Sequence, residues 1–115
     1  MLITAREMDC QHIWNAHAGS GREAGVSDIA VDKLRDEEDL SDLPHDEQIV
    51  VNYGQELFRR HQASRGAFQA ILEQFRNQGA VELTLIFGNY ATLALSINAF
   101  DSDLPPNRTE LLFPI

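Results

Sequence analysis

Residues 80–100 form a long apolar stretch, interrupted by Glu82, Asn89, Ser96 and Asn98. Wound as a helix, residues 81–100 are apolar nearly all round, and such a helix belongs in the middle of a bundle or between subunits. The run is long enough to raise the question of a membrane span, but the four polar residues argue for a buried helix in a protein that does not enter a membrane. Gly88, Ala91, Ala94 and Ser96 are small enough to let another helix come close. This element sets the expected architecture: an all-α bundle, in one domain covering residues 1–115.

The remaining segments read as helices too. Residues 2–8 look like the end of a helix entered partway along, since no capping residue precedes Leu2. Asp9 is the expected N-cap of a second helix running to Ala24, with Gly25 as its stop and Gly19, Ser20 and Gly21 marking close packing on a neighbour. Ser27 caps a third helix through Arg35, whose Ile29, Val31 and Leu34 face inward. Residues 36–47 are dense in Asp and Glu and read as a solvated loop rather than a metal site, because their spacing matches no calcium loop.

After Pro44, the three-and-four rhythm of Ile49, Val50, Tyr53, Leu57 and Phe58 predicts a fourth helix, closed by Arg59, Arg60 and His61. Ser64 caps a fifth, with the stripe Phe68, Ile71, Leu72 and Phe75 and a stop at Asn77, Gln78 and Gly79. Pro105, Pro106 and Pro114 forbid regular structure in the tail, which is expected to lie extended over the surface or a partner subunit.

Eighteen acidic residues stand against nine Lys and Arg, a net charge of -9. That balance disfavours nucleic acid and anionic membranes as partners. A single cysteine excludes an intrachain disulfide and suits a reducing compartment, so a cytoplasmic setting is expected. The histidines show no zinc spacing, and no metal or other cofactor is called for.

Candidate chemistry gathers in residues 9–24, DCQHIWNAHAGSGREA, which put Cys10, His12, Trp14 and His17 on one helix. Cys10 and His17, seven residues apart, share a face but are separated by about 10 Å of rise, so water or substrate must bridge them. An N-cap at Asp9 places Cys10 in the first turn, where the helix dipole favours a thiolate. Trp14 reads as a core or pocket-wall residue, and His12 as exposed or at an interface.

The run QHIWNAHAGSGREAGVSD, with LIFGNYATLALSINAF and the following LPP, resembles the carboxymuconolactone decarboxylase family, in its stand-alone, alkylhydroperoxidase D-like branch. The resemblance implies a helical fold that assembles as trimers or hexamers, with a small-molecule pocket near the subunit interface. In the peroxidase branch the first motif cysteine falls on Cys10 and the motif histidine on His17. The second cysteine position is held by Ile13, and the motif glutamate would lie upstream of Met1. Decarboxylases of the family commonly carry a glutamate at the Ile13 position.

The resemblance thus implies a shortened decarboxylase-like domain lacking N-terminal helices. Its pocket lies around Cys10, Ile13, Trp14 and His17, and His17 is the general acid or base for a carbonyl-bearing or lactone substrate. Peroxide reduction through Cys10 with an external thiol, and a non-catalytic oligomeric remnant, are the alternatives.

Overall fold

A computed structural model describes residues 1–100 together with Leu104, Pro106 and Glu110. It consists of α1 (Leu2–Glu7), α2 (Gln11–Glu23), α3 (Asp28–Asp36), α4 (His45–Arg60) and α5 (Arg65–Ala99), with no strand among the described residues. The all-α expectation holds. The extended tail expected from the prolines lies almost wholly outside the described residues.

The six-residue α1 is the hub, touching each of the other four helices. Ile3, Thr4, Ala5 and Arg6 are buried along it. A helix this short has no stability of its own, so packing is what holds it. Two apolar clusters meet across it. One joins Ala5 to Cys10, Ile13, Trp14, Ala18, Val31 and Ala94; the other joins Ile3 to Ile49, Val51, Tyr53, Ile71, Ala80 and Phe87.

Local signals work as the side-chain chemistry requires at several junctions. Ser27 Oγ accepts from the Ala30 amide at 3.1 Å, and Ser64 Oγ accepts from the Ala67 amide at 3.2 Å. Gly25 adopts φ +106° just past α2, a conformation that glycine reaches without a Cβ penalty. Pro44 precedes α4, and His61 ends it in the left-handed region at φ 68°.

Three expectations are corrected. Asp9 is not an N-cap: at φ 52° it makes the left-handed turn that closes α1, and Cys10 stands at the N-cap of α2 with no side-chain cap bond. Asp tolerates that conformation, and its carboxylate lies 3.6 Å from Arg6 of the preceding turn. Ile29 is 63% exposed, and Ala30 takes the inward position beside Val31. In the glycine pair of α2, a Cβ on Gly21 would meet Leu2 at an ordinary 3.5 Å, so close helix packing does not require glycine there.

The expectation of two helices over residues 64–100 holds: non-helical Arg76 (φ 63°, ψ -176°) separates two helical arms of α5, one residue ahead of the expected stop at residues 77–79. Gly79 is the residue that lets the two arms of the break approach, since a Cβ there would fall 2.5 Å from Phe75 Cβ. Only the inner face of the second arm is covered. Leu85, Leu95 and Val81 stand well exposed on the other side, so the helix is not buried within the protomer.

Candidate functional site

The segment expected to carry chemistry divides between core and cavity. Cys10 is completely buried, as are Ile13 and Trp14 beside it. These three pack with Ala5, Ala18, Val31 and Ala94, and none of them is in the lining of the two clefts described below. The N-cap position buries Cys10 because α1 folds directly back over the start of α2, with the Cys10 amide donating to the Ala5 carbonyl at 2.8 Å. Its sulfur is thereby sealed under the first helix. His12 is half-buried.

His17, two turns further on, has a different setting. Its ring meets Tyr90 edge-on, with centroids 5.3 Å apart and planes at 87°. It also lines an open cavity of about 500 Å³ between α1, α2, α3, α4 and Phe75 of α5. The walls are mostly aliphatic: Leu2, Ile3, Val26, Leu34, Leu43, Val50 and Val51, with Ala24 and Ala30. Polar groups enter from His17, Ser20, Asp46 and Glu47. A pocket of this size and composition, with a few convergent polar groups, is the usual form of a small-molecule site.

Two electrostatic features mark this cavity. Burial holds the His17 pKa below its ordinary 6.5, and the positive charge of the amino group on Met1 pushes in the same direction. Both effects disfavour an imidazolium, so the ring is neutral around pH 7 and offers one nitrogen as a proton acceptor. Glu47 contributes a buried carboxylate oxygen, Oε2, that accepts no hydrogen bond among the described residues. That oxygen has no exposed surface, so the carboxylate must turn before a donor in the groove can satisfy it.

The larger cleft, about 590 Å³, lies between α1, α3, α4 and the acidic loop, and its character is ionic. Arg59 pairs with Glu7 at 2.6 Å, Arg6 with Glu37 at 3.4 Å and Lys33 with Asp42 at 3.3 Å. Most of its charges are paired within the protein, with Glu38 and Asp39 of the acidic loop left outside these pairs. The acidic loop is solvated as expected, tied down by these pairs and by buried Leu43. Among the described residues, no three His, Cys, Asp or Glu side chains gather as a metal site.

Sequence reasoning placed His17 at the site but missed Asp46 and Glu47. Both lie in the first turn of α4, where acidic residues are already explained by the helix dipole. Their only further signal is that Ile49, Val50 and Val51 turn the same helix toward the core. No family model, no curated protein and no solved structure matches the chain.

Proposed function

We propose that the cavity beside His17 binds a small, largely apolar molecule bearing a polar group, and that His17 moves a proton on it. The observation that carries this reading is an aliphatic groove with the His17 ring in its lining. The decarboxylase-like chemistry implied by the resemblance fits these groups. Neutral His17 can take the proton of the substrate's carboxyl group; loss of CO₂ then leaves an electron pair on carbon, and the imidazolium returns the same proton there. The aliphatic walls would hold the ring of a lactone against His17. A cytoplasmic setting belongs to the same proposal.

The peroxide alternative requires a sulfur that peroxide can reach, and Cys10 has no exposed surface. The test is turnover of a carboxylated γ-lactone by the intact chain, followed as CO₂ release, beside the His17→Ala and Cys10→Ala variants. Loss of turnover in His17→Ala with activity kept in Cys10→Ala is expected. Turnover that survives His17→Ala, in a variant whose helical circular dichroism is unchanged, overturns the role given to His17.

A further inference from the structure

The second arm of α5 carries two heptad seams on opposite faces. The inner one runs Ala80, Leu83, Phe87, Tyr90, Ala94 and Ile97 at alternating spacings of three and four, and every member is buried or half-buried. The outer one runs Val81, Leu85, Gly88, Thr92, Leu95 and Ala99 at alternating spacings of four and three, and every member is exposed. No charged residue occurs from Leu83 to Phe100. A helix face that meets water normally carries charge, and a continuous uncharged apolar seam marks a surface that is covered in use.

We propose that this outer seam pairs with the same seam of a second copy, the two α5 helices running antiparallel across a two-fold axis. The spacing of the seam reads the same from either end, which is the condition for a self-complementary contact. Antiparallel pairing sets Val81 opposite Ala99, Leu85 opposite Leu95 and Gly88 opposite Thr92, so the smallest residue lies near the axis, where the backbones come closest. The one charge nearby also selects this direction. Parallel alignment would bring Glu82 against its own copy, whereas antiparallel alignment sets it beside Asn98.

The side chains of Thr92, Ser96 and Asn98, on and beside the seam, are already bonded within the protomer. Thr92 Oγ1 donates to the Gly88 carbonyl and Ser96 Oγ to the Thr92 carbonyl, each at 3.1 Å, while Asn98 Nδ2 donates to the Met8 carbonyl at 2.8 Å. Covering them strands no donor. The seam is ~27 Å long at 1.5 Å per residue. With Ile86 and Leu93 on its flank it exposes on the order of 500 Å² per copy, so two copies reach the ~1,000 Å² of a specific interface.

A membrane is the less suitable cover. The inner seam is committed to the protein core through Phe87 and Ala94, and a net charge of -9 repels anionic lipid. The cavity residues His17 and Glu47 are not on the outer seam, so this pairing stands or falls independently of the proposed function.

Sedimentation equilibrium on the full chain, with the variants Leu85→Glu, Leu95→Lys and the double variant, tests the pairing. The unaltered chain is expected as a dimer, strengthened by salt because two acidic protomers repel. Each single variant places unpaired charges in the seam and is expected to weaken association at least tenfold. The double variant creates two Glu–Lys pairs across the two-fold axis and is expected to recover dimer. The two positions are ten residues apart in one helix, too far for rescue inside a protomer. Overturning results are a monomeric or trimeric unaltered chain, association indifferent to Leu85→Glu, no recovery in the double variant, or flotation with phosphatidylcholine vesicles in place of self-association.

Discussion

His17 meets the edge of the Tyr90 ring at a centroid distance of 5.3 Å, so the histidine facing the cavity is braced by the inner seam of the last helix. The contact links two parts of the molecule with separate tasks. One face of α5 positions a side chain at the cavity, and the other is free to meet a second copy.

The histidine's environment makes stability depend on pH in a definite direction. Because burial and the Met1 amino group lower its folded pKa below 6.5, the unfolded chain takes up the proton first as pH falls. The histidine's contribution to stability is therefore full above about pH 6.5 and declines on acidification until the pH passes below the folded value. Asp36 and Asp39, held below the ordinary 3.8 by Arg35 and by Ser41, act in a lower window, whereas the Met1 amino group, held below its ordinary 8.0 by burial, adds a decline of the same sign that begins near pH 8. A proton NMR titration of the His17 ring should give a midpoint below 6.5. Tyr90→Ala should raise it toward 6.5, and in His17→Gln the fall in urea midpoint between pH 7.5 and 5 should shrink.

Gly54 sits where α1, α4 and α5 cross. A Cβ there would lie 2.8 Å from Phe87 Cζ and 2.9 Å from Ile3 Cγ2, distances that force something to move. Alanine is the better helix former by about 1 kcal/mol, but overpacking a tight core typically costs about 1–3 kcal/mol. Phe87 is itself buried and braced by Phe58 at 5.8 Å, so it has little room to yield. Gly54→Ala should destabilise the fold by up to about 2 kcal/mol in urea unfolding, the net of those two effects. A stabilised variant would contradict the crossing described.

Signals confined to a few neighbouring residues were legible in the sequence. Ser27 and Ser64 cap because a hydroxyl needs only the next turn, and Pro44 and Gly25 act through their own backbones. What failed depends on distant partners. Asp9 reads equally well as an N-cap or as a left-handed turn residue, and only the fold-back of α1 selects the second. The same fold-back buries Cys10, which separates it from His17 although one helix carries both. Nothing local distinguishes Ile29 from Ala30 as the inward residue of α3. The apolar character of α5 was plain, but which half of its surface the protomer covers is decided by α1, α2 and α4. The Glu47 acceptor had no sequence signature, since a carboxylate in a first helical turn is ordinarily explained by the dipole.

The burial of Cys10 predicts its reactivity. In the folded chain iodoacetamide should leave the thiol unmodified, and the reaction should follow the unfolding transition when urea is added. Cys10→Ser places a hydroxyl among Ile13, Trp14 and Val31, at a cost of about 1–3 kcal/mol if no partner is found. Cys10→Ala should be milder, because it leaves only a small void. Rapid alkylation under native conditions would contradict the sealed position and return the peroxide alternative to consideration.

The break in α5 offers a paired test. Arg76 holds φ 63° and ψ -176°, a region that only glycine occupies without strain, and such strain costs about 1–3 kcal/mol. Arg76→Gly relieves it while loosening the unfolded chain by about 0.4–1 kcal/mol, so a net gain of about 1 kcal/mol is expected. Gly79→Ala should do the reverse, since its Cβ would collide with Phe75 across the break. In an unbroken helix both signs invert, because glycine at 76 would weaken the helix and alanine at 79 would strengthen it. Urea midpoints of the two variants therefore decide between a broken and a straight α5.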